Sequence, residues 1–506
     1  MAPLLLIATS LTFIYLLTLA LGLQGRTRRL PPGPRGWPLV GALPAFRRAT
    51  ASSAGLTAWL LSLRTYGELT TIRLGSATWI SLNSTRVVAA LIDKRGIITS
   101  ERPYYPVASG LVSQHKRTVL RQTAAWREGR RVMQRLLLSS ADLAQYGAWA
   151  ELESTALLAA YLQRPERWFA HHTRYTLSVV YRIVFGQRVR RRTREVEAFV
   201  FAAAEFVASI NASAVDFFPW VATVFPQFMW RGRWKDMGER HRQIYQAWWR
   251  QVKEAVDGGT APPSWTRDVL LAKETGYTGS DEDAMYLSTS VVGAGADNPR
   301  KVLNTFVMAA LRYPDILTRA RAAVDGVCGT GADMRLPRMK DMESMPYICA
   351  LLKEVMRWRP SVPLIPPHQL TQDLEFEGYL FPKGTIFAIN AIALGQECEH
   401  PDDFKPERWL DDDVCNVSHG HWSFGGGRRI CVGYRVAQQL LFIALARLIY
   451  CFDYEAAGPL DDRTLNHQKP GEPFPVQVKV RSKEHEALIL NEARQSGVLE
   501  DATLEF

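Results

Sequence analysis

Phe424-Gly425-Gly426-Gly427-Arg428-Arg429-Ile430-Cys431-Val432-Gly433 lies near the C-terminal end and leads at once into an apolar, helix-like stretch over residues 434–450. Its glycines let the chain turn tightly and let a flat ligand approach the backbone. Cys431 stands beside Arg428 and Arg429 and just ahead of a helix N-terminus, where positive charge favours a thiolate. A cysteine thiolate is also the haem ligand that pushes electron density toward O–O cleavage. A lone cysteine is more often a small buried hydrophobe. An inert one has no need of three glycines and two arginines just upstream. The stretch predicts a ligand cysteine.

The rest of the composition narrows the field. The six cysteines of this 506-residue chain (Cys328, Cys349, Cys398, Cys415, Cys431 and Cys451) contain no C-x-x-C pair. That argues against a zinc ribbon, a redox dithiol or a disulfide framework, and for a reducing compartment. The net charge of +11 suits an acidic partner or a membrane surface. The arginines are scattered along amphipathic segments with no nucleic-acid module signature, so no nucleic-acid partner is expected. No G-x-G-x-x-G follows a strand and no Walker A sequence exists, so electrons for any redox chemistry must come from elsewhere.

From Ala2 to Leu23 the chain is uncharged and predominantly apolar, long enough to span a bilayer as a helix. Arg26, Arg28 and Arg29 follow, which places the body on the cytosolic side. A cleaved signal ending near Ala20-Leu21-Gly22 is the competing reading. The length of the span, the missing basic n-region and the arginine cluster favour an uncleaved anchor. Leu30-Pro31-Pro32-Gly33-Pro34 then predicts an extended, semi-rigid hinge. The expected organisation is an anchor over 1–25, a basic, Pro-rich hinge over 26–45, and one large body over 46–506. Within the body, helical periodicity covers 146–162, 196–210, 234–256 and 281–311. Short strands are expected at 69–74, 79–82, 374–376, 386–389 and 476–480. This is a mainly α fold with a minor β region, not a doubly wound α/β fold.

Two further elements belong with the cysteine turn. Glu354 and Arg357 share a helix face at i, i+3, and Phe404-Lys405-Pro406-Glu407-Arg408-Trp409 supplies Arg408, which could close an Arg–Glu–Arg network. Such a buried set specifies a loop shape more readily than it adds stability.

Taken together, these elements resemble the cytochrome P-450 family, the haem-thiolate monooxygenases. F-x-x-G-x-R-x-C-x-G matches at Phe424, Gly427, Arg429, Cys431 and Gly433. E-x-x-R matches at Glu354 and Arg357, P-E-R-W at residues 406–409, and W-x-x-x-R at Trp126 and Arg130. The resemblance covers nearly the whole chain, and the anchor and hinge resemble the microsomal branch. It implies haem b with Cys431 as axial iron ligand, and Trp126, Arg130, Arg429 and His368 near the haem propionates. It further implies electrons from NADPH through a flavoprotein reductase, with cytochrome b5 as an optional partner. An endoplasmic reticulum membrane location, single-pass with a cytosolic catalytic domain, follows by the same resemblance. The overall flavour is that of fungal secondary metabolism.

The departure from the family pattern lies at Gly293-Ala294-Gly295-Ala296-Asp297-Asn298-Pro299. The pattern there is A/G-G-x-D/E-T-T/S, whose first threonine helps deliver protons to iron-bound dioxygen. Here Asn298 replaces it and Pro299 follows. Proline removes the helix bond to the Gly295 carbonyl and opens the helix locally. An asparagine amide can donate and accept hydrogen bonds but is a poor acid relay. Proton delivery is therefore expected to rest on Asp297, ordered water and a substrate polar group, with Asn298 beside it.

By resemblance the pocket is lined by residues 104–119, 290–294, 362–365 and 473–476. These are mostly apolar, which implies a lipophilic small molecule. Residues 211–230, rich in Phe and Trp, read either as a membrane-facing substrate access or as core. The nearest rivals are a haem-thiolate isomerase or dehydratase, an oxidative-coupling enzyme, and a haem or lipid binder without turnover.

Overall fold

The computed structural model describes residues 9–10, 12–13, 29–224, 226–271, 275–411, 413–460 and 474–503. The expected span over 1–25 lies almost wholly outside them, as do Arg26, Arg28, Phe225 and Pro473. Among the described residues no helix is long and apolar enough to cross a membrane.

The body is built around the helix Asp281–Arg312, about 48 Å long at 1.5 Å per residue. Ser280 caps it by accepting from the Asp283 amide, and Asp281, Glu282 and Asp283 complement the positive end of its dipole. Lys116 and Arg121 reach those acids, at 2.7 Å to Glu282 and 2.8 Å to Asp283. The helices Ser140–Gln163, Trp168–Phe185, Pro346–Trp358 and Tyr434–Cys451 join it in one apolar core.

A four-stranded sheet stands to one side, in the order Leu69–Leu74, Ala77–Leu82, Ile386–Ile389, His368–Gln369. The Ala77–Leu82 strand pairs in parallel with Ile386–Ile389, in the register Trp79 to Ile386. This pairing brings the N-terminal part of the body against the segment that carries His368. Among the described residues two antiparallel strand pairs complete the sheets, Leu374–Phe376 with Tyr379–Phe381 and Phe452–Ala456 with Val476–Val480.

The proline-rich segment is not a free spacer. Pro32 O accepts from Thr71 N at 2.9 Å, Pro31 O accepts from Thr71 Oγ1 at 2.7 Å, and Arg29 O accepts from Leu380 N at 2.8 Å. Proline carbonyls still accept although proline cannot donate, so this segment docks along the edge of the sheet.

Buried histidines give the core an acid lability. Burial pushes His171 down to about 4, and His172 and His421 down to about 3. The His172 ring is held between Tyr161 Oη at 2.6 Å and Asn304 Oδ1 at 2.8 Å. A histidine depressed in the folded state contributes stability that is complete above its unfolded value and is lost as pH falls through the folded one. The melting temperature is therefore expected to fall steadily from about pH 7 to about pH 5 in calorimetry, as the unfolded histidines take up protons. A flat profile across that window would contradict this account.

Candidate functional site

The cysteine turn is fixed from outside by residues far away in sequence. Gly427 has φ +59°, and a Cβ there would lie 2.4 Å from Ile92 O, so only glycine fits. Its amide donates to Asp93 Oδ1 at 2.6 Å, and the Cys431 amide closes the loop on Phe424 O at 2.8 Å. The helix Tyr434–Cys451 begins three residues beyond the cysteine. Burial is the largest influence on the Cys431 thiol and pushes it up, opposed by the Gly433 amide and by Arg130 nearby. This differs from the sequence expectation: the dipole and arginines alone do not make a thiolate here. A metal ion at the sulfur would, because a coordinated thiol loses its proton.

Beneath the turn, Glu354 is fully buried and saturated. Arg357 binds it bidentately at 2.8 Å through Nε and Nη2, and Arg408 Nε approaches at 3.2 Å. The Lys405 amide donates to Oε1 at 2.7 Å and Trp409 Nε1 to Oε2 at 2.9 Å. Arg357 continues to the carbonyls of Gly395, Pro401 and Asp403, and Arg408 to those of Glu399, His400 and Asp403. One carboxylate thus organises the irregular chain from Gly395 to Trp409, which sequence reading expected of the Arg–Glu–Arg set but not of Lys405 and Trp409.

The central helix changes character along its length. Residues 284–289 and, apart from Lys301, 299–310 are buried, whereas within 290–298 only Val292 is, and Ala294 is exposed in the middle of the protein. Cys431 is likewise exposed although protein surrounds it. Both residues keep accessible surface within the body of the protein. Pro299 does not interrupt the helix, which runs unbroken from Asp281 to Arg312, so the opening foreseen at this point is limited to one hydrogen bond missing at Gly295 O. Asn298 Nδ2 donates back to Ala294 O at 3.3 Å. Asp297 is paired with Arg300 at 2.6 Å and Lys301 at 2.7 Å. Burial opposes its charge, but these two cations outweigh burial and hold the carboxyl below the usual aspartate range. The i+3 and i+4 spacing of both partners was legible in the sequence, though it went unread.

One flank of the site is strongly cationic. Arg429 stacks on the Trp126 ring at 3.9 Å and donates to Ser100 O at 2.8 Å, Arg121 O at 3.1 Å and Thr123 Oγ1 at 3.2 Å. Arg130 lies 5.5 Å from the same ring on average centre. Arg102, which sequence reading missed, donates to Pro366 O and Pro367 O at 2.6 Å. His368 Nδ1 donates to Thr99 O at 2.9 Å, and burial, reinforced by Arg102, keeps the ring neutral. Burial drives Arg102 down to about 10 and Arg429 to about 9, the latter also by repulsion from Arg102. Arg102 Nε, Arg130 Nε and Arg429 Nη1 are buried without a hydrogen-bond partner. A cluster of buried guanidinium groups with unmatched donors calls for anionic oxygens.

The family description Cytochrome P450 matches residues 31–474. The chain belongs to the cytochrome P450 family. Cytochrome P450 monooxygenase virE of Hypocrea virens is 29% identical, over 94% of this chain and 90% of its own length. Cytochrome P450 monooxygenase aneD of Aspergillus aculeatus is 30% identical, over 95% and 93%. The fold is also similar to a zebra fish cytochrome P450 solved with abiraterone, with a TM-score of 0.64 and 20% identity, covering 84% of this chain and 100% of that one.

This cytochrome P450 is a monooxygenase, and its family brings haem to the site. The residues fit the group: an accessible thiol enclosed by protein, and unmatched buried guanidinium donors suited to two propionates. Cys431 would hold the iron. Arg102, Arg130, Arg429 and His368 would hold the propionates, with Trp126 fixing Arg429 by its ring face, and Phe424 closing the cysteine loop through its carbonyl. In this P450, Arg102 carries no motif of its own; the only signal for it is its packing against Pro366 and Pro367, which only the folded chain reveals.

Proposed function

We propose that this enzyme is a membrane-tethered monooxygenase. It takes electrons from NADPH through a flavoprotein reductase, assisted by cytochrome b5, and hydroxylates, epoxidises or otherwise oxidises a lipophilic small molecule of fungal secondary metabolism. The observation that supports this is Cys431, accessible though enclosed by protein, in a turn whose surroundings hold the unmatched buried donors of Arg102, Arg130 and Arg429. The haem, when bound there, supplies reductive activation of dioxygen. Cys431 anchors it. Asp297 Oδ1 and Oδ2, released from Arg300 and Lys301, accept and return protons, while Asn298 holds the helix backbone through Ala294 O.

A reductase meets an exposed basic face. Arg127, Arg131 and Arg135 project at helical spacing from Thr123–Leu138, and Arg428 is exposed beside Cys431. Arg130, on the same helix, is buried and does not belong to this face. An acidic partner steered by such charges reduces the enzyme more slowly as salt rises. Trp220 (56% exposed) and Phe228 (84% exposed) support an apolar face turned to the endoplasmic reticulum membrane, whereas Phe217 is core. The segment read as either access or core thus contains both exposed and buried aromatics.

Reconstitution with NADPH, reductase and dioxygen tests the reading: oxidised product that requires all of them is expected, identified against the metabolite that accumulates when the gene is deleted. Turnover of that metabolite without NADPH would replace it with the isomerase or dehydratase reading. Within the same assay, Asn298→Thr preserves a side-chain bond to Ala294 O while adding a hydroxyl relay. It is expected to raise product formed per NADPH severalfold. An unchanged ratio would leave Asn298 with only its helix-bonding role.

A further inference from the structure

Three basic residues follow one another near the start of the central helix, and they behave differently. Lys116 pairs with Glu282 and Arg121 with Asp283, both toward the surface. Arg117, between them, turns inward and is only 6% exposed. Its guanidinium lies 4.2 Å over the Phe206 ring and 5.0 Å over the Tyr245 ring, and Nη2 donates to Tyr245 Oη. Among the described residues it makes no ion pair. A buried cation without a carboxylate is expensive to keep, and two ring faces and one phenol compensate only in part.

The position of this charge gives it a use. A Cβ on Gly293 would stand 3.7 Å from Arg117 Nη1 and 3.8 Å from Ala203 Cβ, so the glycine leaves a methyl-sized gap beside the guanidinium. Gly293 precedes Ala294, and Asp297 follows it at i+4, so the guanidinium borders the less buried stretch of the central helix. Arg117 Nε and Nη1 make no hydrogen bond among the described residues, and neither is sealed by packing. The small accessible remainder of a deeply buried residue is therefore its unused donors. A second polar group points the same way: Tyr286 Oη is buried without a partner, on the helix that carries Gly293. Tyr286 lies within electrostatic reach of Arg117.

We infer that Arg117 is the anchor for a carboxylate on the substrate, with Tyr245 and Tyr286 completing the anion site. The substrate class is a lipophilic carboxylic acid, bound with its acid group at Arg117 and its hydrocarbon body toward Cys431. This rests on the monooxygenase reading and sharpens it, since an apolar pocket alone would select only for lipophilicity. A carboxylate meeting the free Nη1 accepts a charge-assisted hydrogen bond, strongest where water is excluded.

The test uses the full-length holoenzyme, whose thiolate-type band with carbon monoxide is recorded first. Naphthoic, dodecanoic and biphenylcarboxylic acids, and the methyl ester of each, are titrated into the ferric protein. Affinities are read from the Soret band or, for spectrally silent binding, by equilibrium dialysis. The acid of at least one pair is expected to bind about tenfold tighter than its ester or better, ~1.4 kcal/mol. Arg117→Gln should bring that ratio to near unity while Arg117→Lys retains a preference for the acid. Should Arg117→Gln lose its carbon monoxide band, Gly293→Val, which fills the space beside Nη1, should lower the same ratio. No acid preference in any pair of the unmodified protein overturns the inference, as does a preference that survives Arg117→Gln. A protein lacking the thiolate-type band overturns the haem-thiolate reading instead, so the two failures are distinguishable.

Discussion

Cys431→Ala is expected to yield a folded protein with no thiolate-type carbon monoxide band and no NADPH-dependent product. The loop survives the change because its closure is a backbone bond, Cys431 N to Phe424 O, and its anchorage is the Gly427 amide on Asp93. The other described cysteines are committed elsewhere. Cys328 and Cys451 are buried, Cys398 Sγ donates to Gly395 O, and the Cys349 and Cys415 sulfurs lie 3.3 Å apart. The loss of function should thus be complete while far-ultraviolet circular dichroism remains near that of the parent. A variant that kept the thiolate-type band would remove Cys431 from the iron.

Glu354→Ala is expected to produce the largest loss of stability of any single substitution near the site. Removing one partner of a buried ion pair costs about 3–5 kcal/mol, because the surviving charges remain in the interior. Here two guanidinium groups, the Lys405 amide and the Trp409 indole lose their shared acceptor together. The chain from Gly395 to Trp409 should lose its order, and the cysteine turn its support, so haem content per protein should collapse. Glu354→Gln keeps the shape without the charge and should fall between the two. Calorimetry and haem quantification decide the matter; an alanine variant melting within about 2 °C of the parent would show that the network is not structural.

The parts legible in the sequence were those with local signatures. The strand at Leu69–Leu74 and the helix beginning at Asp281 could be read from alternation and periodicity, and the motifs about Cys431 and Glu354 from spacing. The helix Trp168–Phe185 escaped notice because it is buried all round, including His171, His172 and Arg174, and so has no polar stripe to mark it. The strand Phe452–Ala456 was missed because it follows Cys451 without any turn residue to end the helix. At the site, Arg117 and Arg102 look like any other arginines in a chain rich in them. Only the fold shows that their unmatched donors are interior. The proline segment was read as a spacer because its docking partners, Thr71 and Leu380, are remote in sequence.

Gly295 has a consequence for the placement of the central helix. A Cβ there would lie 3.1 Å from both methyl groups of Val180, so the central helix already rests hard against its neighbour. It has no room to yield in that direction. Any added bulk at this contact must displace the helix away from Val180, and any slack must come from it. The setting of the Ala294–Asn298 stretch is thereby gauged in part by a valine on the neighbouring helix, and drift at such a position would shift that stretch without altering any of its own residues.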